Sequence, residues 1–166
     1  MSEHVVKLED VKLPLPSFPS GEVVLHGDRC SFLLYSTYHA SDDRTAKSIL
    51  IECVGLSLSR FGYPNDEGLP EHRLFGRGLG KVTGFGEVMD SELLNEYESM
   101  SGRSRERIGQ GRGYPPSNYI APSKRHFIIA FKENVFEAVC RELSLVGVFP
   151  DHSAALSQAT LKISLD

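Results

Sequence analysis

The densest concentration of groups able to do chemistry lies between Tyr63 and Arg77. Within those 15 positions stand a phenol (Tyr63), two adjacent carboxylates (Asp66, Glu67), an imidazole (His72) and two guanidiniums (Arg73, Arg77). Guanidiniums grip carboxylate or phosphate through paired hydrogen bonds, and an imidazole changes charge near neutral pH. One use of the set is recognition, with Tyr63, His72, Arg73 and Arg77 holding an anionic group of a partner. Another is catalysis of the hydrolase or isomerase type on an anionic small molecule, with His72 shuttling a proton and Asp66 or Glu67 as its carboxylate. The plainer alternative is a long loop that satisfies its own backbone with these side chains, pinned down by Leu69, Leu74 and Phe75.

A second chemical group runs from Gly102 to Arg125. It holds Arg103, Arg105, Arg107, Arg112, Lys124 and Arg125 against one acid, Glu106, a net +5 that leaves −9 for the rest of a chain of formal charge −4. Arg-Gly spacing with Tyr114 and Tyr119 is similar to segments that grip single-stranded nucleic acid. A net negative chain argues against a general nucleic-acid binder, and an acidic protein surface, including a second copy of this chain, is the favoured partner. Four glycines in that stretch and Pro115-Pro116 predict a flexible basic arm over 102–125.

Other chemistries find less support. His26, His39, His72, His126 and His152 show no HxH or HxxxH spacing, and Cys30, Cys53 and Cys140 no CxxC, so neither metal nor cofactor is implied. No G-x-S-x-G elbow is present, and the cysteines sit in apolar runs as buried thiols suited to a reducing cytoplasm. The glycine clusters Gly76–Gly80 and Gly109–Gly113 neither follow a clear strand nor open a helix, as phosphate cradles require. No signal pattern opens the chain and no apolar run approaches the ~20 residues of a membrane helix, so a cytoplasmic protein without membrane contact is expected.

Two blocks resemble an uncharacterised family of small bacterial proteins. One is His126-Phe127 through Phe131 with Phe136-Glu137-Ala138; the other is Asp66-Glu67-Gly68-Leu69-Pro70-Glu71-His72-Arg73-Leu74, continuing through Gly76 to Gly78-Leu79. The resemblance covers the middle two-thirds of the chain and implies a fold, with no established activity. Lys132 and Glu133 stand where that family usually carries a His-Asp pair, which speaks against acid–base chemistry at this turn.

The elements that must position these groups are read from periodicity. Glu22–His26 and Arg29–Thr37 form a hairpin about Gly27-Asp28. Ala46–Ser59 continues the meander, with a bulge at Gly55 to explain why Leu56 and Leu58 change parity after Ile49, Ile51 and Cys53. Val11–Pro16 is an edge arm, Arg60–Gly80 an irregular loop, and Lys81–Met89 a strand. Asp90 caps a short helix, Ser91–Met100. His126–Phe131 is a strand. After Asn134 both a helical face and a strand alternation fit, and the hairpin is favoured. Asp151 caps one helical turn, and Leu161, Ile163 and Leu165 alternate as a final strand. With 166 residues, 40% of them hydrophobic, the chain suits one α+β domain, residues 1–10 fraying or making an edge contact. We expect a β-dominated, mostly antiparallel sheet forming a sandwich or partial barrel, with one or two short helices and two long loops. The function expected is non-catalytic binding of a partner through those loops.

Overall fold

In a computed structural model the chain is described over residues 2–9, 13, 23–27, 30–38, 46–109 and 123–165, with backbone alone at 23, 38, 46 and 102–109. Two antiparallel sheets face each other. The first has the order β1-β6-β7-β8-β5 and the second β2-β3-β4-β9. In chain order these are β1 (His4–Lys7), β2 (Val23–His26), β3 (Ser31–Tyr38), β4 (Ala46–Val54), β5 (Leu58–Gly62), β6 (Phe85–Met89), β7 (Arg125–Ala130), β8 (Val135–Cys140) and β9 (Glu142–Phe149). Helix α1 spans Glu92–Gly109 and α2 His152–Leu165.

Alternation within the strands builds the sandwich. Leu33, Tyr35, Ile49, Ile51, Cys53 and Leu143 of the second sheet meet Phe85, Phe127, Ile129, Phe136, Ala138 and Cys140 of the first. Tyr35 anchors this core between the tilted rings of Phe85 and Phe131, at 6.0 and 5.7 Å between centroids. The opposite parity of each sheet is covered separately. On the second sheet, Ala155 and Ala159 of α2 pack on Phe32, Leu34 and Leu50. On the first, Leu74 and Leu79 of the 63–84 segment pack on Val5, Val88, Ile128 and Val135. Among the described residues, no helix is long and apolar enough to cross a membrane.

The β-dominated α+β sandwich expected from the sequence is the fold observed, and the hairpin over 135–140 is a strand pair, β7 with β8. Four local expectations are corrected. Gly55 (φ 65°) makes no bulge: the chain there leaves the second sheet and enters the first as β5, so the parity change of Leu56 and Leu58 marks a change of sheet. The bulge lies in β9, where Val146 is extra between Leu50–Gly147 and Ile51–Leu145. The cap of α1 is Ser91, whose Oγ accepts the Leu94 N–H at 3.0 Å, while Asp90 holds the left-handed turn before it at φ 51°. Helix α1 runs on to Gly109, because Arg, Glu and Ser in 103–108 are acceptable helix formers despite their charge density. The final strand is helix α2, initiated by the Asp151 carboxylate accepting the Ala154 N–H at 2.8 Å. The Val11–Pro16 arm falls outside the described residues except Leu13, and the second half of the basic arm, 110–122, lies wholly outside them.

Candidate functional site

The irregular stretch after β5 is a built loop. Three short 3-10 turns, Leu69–Glu71, Phe75–Arg77 and Leu79–Lys81, carry it across the outer face of the first sheet. Asx geometry starts it: Asn65 Oδ1 accepts the Gly68 N–H at 3.0 Å and Asp66 Oδ1 that of Glu67 at 2.9 Å. The Asp66 N–H donates to the Lys132 carbonyl at 2.6 Å, tying the loop to the β7–β8 turn. Gly78, at φ 113°, passes so close to β1 that a Cβ there would lie 2.3 Å from the Val5 carbonyl oxygen. Local sequence thus fixes where His72 and Arg73 stand.

They stand over Glu137. This glutamate occupies an outward position of β8, a strand otherwise apolar along its length, and its side chain is 7% exposed. Its pairing partners across the sheet are Arg60 on β5 and Ile128 on β7. Arg73 Nη2 donates to Glu137 Oε2 at 2.6 Å, and its Nη1 reaches Glu3 Oε2 at 3.3 Å. Arg77 adds a longer contact to Glu3, 4.0 Å. Glu3, itself buried, also accepts the Glu92 N–H at the start of α1, at 3.2 Å.

Two imidazoles complete the shell. The Leu74 N–H donates to His72 Nδ1 at 3.2 Å, so the neutral ring carries its proton on Nε2, 3.7 Å from Glu137 Oε1. His126, fully buried, is set the same way. Its Nε2 lies 3.0 Å from the anionic Glu137 Oε2 and so carries the proton of the neutral ring, which leaves Nδ1 to accept the Ser91 hydroxyl proton at 2.7 Å. The carboxylate oxygen lies off the N–H direction, so this contact is electrostatic more than an aligned hydrogen bond. Burial works against the charged form of Glu137, but His126, His72 and the Arg73 guanidinium outweigh it and hold the carboxyl well below its usual range.

Above Glu137 opens a cleft of about 580 Å³ whose walls are Arg60, Phe61, Tyr63, Glu71, His72 and Arg73. Tyr63 is 73% exposed, and its hydroxyl lies 3.4 Å from Glu71 Oε2. The cations around the cleft differ in one respect. Arg73 is engaged by two carboxylates, whereas the Arg60 side chain makes no ion pair or hydrogen bond among the described residues. Arg60 borders a second cleft of about 440 Å³ beneath α1, lined also by Leu58, Leu93, Tyr97 and Met100. At its side the Lys124 ammonium sits 5.0 Å from the Tyr97 ring centroid and donates to the Gly55 carbonyl and the Ser57 hydroxyl. A hydrogen bond from Ser57 lowers the Tyr97 phenol, partial burial opposes this, and the charge of Lys124 adds to the lowering.

Of the residues singled out from sequence, Tyr63, His72 and Arg73 meet at the first cleft. Arg77 is half exposed beside Glu3, and Asp66 and Glu67 lie on the exposed turn, away from the cleft lining. Arg103, Arg105 and Arg107 fall on the described backbone of α1, and Arg112 outside the described residues. Sequence reasoning missed Glu3, Arg60, Ser91, His126 and Glu137. Glu137 had a signal: a lone carboxylate in an apolar strand demands buried partners. Two blocks remote in the chain, 66–79 and 126–138, supply His72, Arg73, His126 and Glu137 to this one place. The cysteines form no disulfide and are buried, and the Cys53 thiol is pushed up by its hydrogen bond with Cys140 and by burial, away from nucleophilic use. No family model, no curated protein and no solved structure matches the chain.

Proposed function

We propose that this chain is a non-catalytic binding protein whose loop cleft receives an acidic group of a protein partner. The observation that carries the reading is the contrast between Arg60 and its neighbours. Arg73 is engaged by Glu3 and Glu137, and His72 and His126 each direct one ring nitrogen to an internal hydrogen bond and the other to Glu137. A carboxylate held so far toward its charged form is a weak proton acceptor, and no ring nitrogen is left aimed at open space to relay a proton. Arg60, exposed and with no side-chain partner among the described residues, is flanked by the exposed rings of Phe61 and Tyr63, which suits a carboxylate presented beside apolar surface. The negative body favours protein over nucleic acid, and the same charge on a second copy leaves self-association as one form of the partner.

The test uses a capped tetraglutamate peptide carrying a fluorophore, with tetraglutamine as control, read by anisotropy. The acidic peptide should bind, and Arg60→Gln or Tyr63→Ala should weaken it about tenfold or more. Equal binding of the neutral peptide would remove the reading.

Convergence of two imidazoles and a carboxylate favours a second reading, an enzyme acting on an anionic small molecule through His72. Turnover of p-nitrophenyl acetate or phosphate that vanishes in His72→Asn would replace the binding reading with this one.

A further inference from the structure

The second cleft has no part in the recognition of an acidic partner, yet it shares Arg60 with the first. Its apolar lining is Leu58 from β5, and Leu93, Tyr97 and Met100 from α1, with Ser57 and Ser101 beside them. Met100 is 56% exposed, an unbranched side chain left uncovered at the mouth. The volume of about 440 Å³ falls within the ~300–1,000 Å³ usual for small-molecule sites. Charge is unevenly distributed around it. Arg60, unpartnered among the described residues, is on the lining, and the Lys124 ammonium lies over the ring of Tyr97, while Glu96 is the acid on the lining.

We infer that the cleft beneath α1 binds an amphipathic anion, an alkyl or aryl carboxylate, with its apolar part against Leu58, Leu93 and Met100 and its charge on Arg60. An apolar slot alone would favour any greasy molecule. A guanidinium on the lining that no carboxylate engages among the described residues selects one with a carboxylate head, since two parallel N–H donors match its two oxygens. Burying the tail supplies affinity and the head supplies orientation. Because Arg60 also borders the first cleft, a bound anion neutralises the guanidinium that an acidic partner would use. Small ligand and partner therefore compete for one charge, without either having to move the fold.

The inference goes beyond the partner reading and shares with it Arg60 alone, so the two fail separately. Decanoate is the probe, titrated into the whole chain by calorimetry, with octanoate and decanol beside it. Octanoate should bind roughly tenfold more weakly, as two lost methylenes require. Decanol, with the same tail and no charge, should be weaker by about tenfold as well, and Arg60→Gln should bring decanoate down to that level. Met100→Glu, at an exposed position, should keep the thermal transition of the parent protein and reduce decanoate binding at least tenfold. Tyr63→Ala, which touches the first cleft alone, should leave decanoate binding unchanged. Failure of decanoate to bind, equal affinity for decanol, or indifference to Met100→Glu would overturn the inference. Loss of decanoate binding in Tyr63→Ala would do so too, by placing the ligand in the first cleft.

Discussion

Glu137 is where the cleft can be dissected atom by atom. Glu137→Gln keeps the shape but withdraws the charge facing Arg73, His72 and His126. Removing one member of a buried ionic group costs about 3–5 kcal/mol, because the others stay buried without compensation. Urea denaturation at neutral pH should show a loss of this order, and a loss below about 1 kcal/mol would mean that the network is not the floor of the cleft. The sign of the pH dependence follows from the lowered carboxyl. A group whose folded value lies below its unfolded one stabilises fully above the unfolded value, about 4.3, and that stability drains as pH falls toward the folded value. The parent protein should therefore lose stability more steeply below about pH 4 than Glu137→Gln does. Arg60→Gln should change stability by no more than about 0.5 kcal/mol, since Arg60 holds nothing inside the described protein. At this scale the sequence displayed His72 and Arg73 because they stand together in a polar run. It concealed Glu137 and His126, whose importance depends on strands adjacent in space.

Secondary elements set the positions of those residues, and two of them offer tests. Gly78→Ala would force a side chain onto φ 113° and against the Val5 carbonyl, so β1 and the 3-10 loop must separate. Strain of this kind costs roughly 1–3 kcal/mol, and the variant should melt lower while losing affinity for the acidic peptide. Ser91→Ala should cost about 1 kcal/mol as a lost cap. It should also free the His126 ring, visible as a change in its imidazole resonances. Unchanged resonances would deny the link from α1 to the cleft floor. Element reading from sequence succeeded at β4, where Ile49, Ile51 and Cys53 share one parity, and at β3 and β7, where runs of β-forming and apolar residues stand beside turn or loop chemistry. It failed at α2, where Leu161, Ile163 and Leu165 alternate although the buried spacing is Ala155, Ala159 and Ile163, a helical stripe made mostly of small residues. At Gly55 parity alone could not separate a bulge from a change of sheet, because both invert the buried face.

For the molecule as a whole, the sandwich does what neither sheet does alone. It links the N-terminal residues, the 3-10 loop, the start of α1 and the β7–β8 hairpin through one network of side chains, Glu3–Arg73–Glu137–His126–Ser91. That convergence joins residues 3, 72, 73, 126 and 137, and no local pattern announces it; the sequence conveyed the sheets and left their outer decoration unread. Recognition at an open cleft in a negative molecule should weaken with salt, since exposed charges are screened over about 10 Å at 0.1 M. The most direct measurement is an amide and guanidinium NMR map of the protein titrated with capped tetraglutamate. The account predicts shifts confined to β5, Tyr63, His72–Arg73 and Val135–Glu137, with the Arg60 side-chain N–H among the largest, and none with tetraglutamine. Shifts centred on α2 or β9 with Arg60 unmoved, or the same shifts from the neutral peptide, would contradict it.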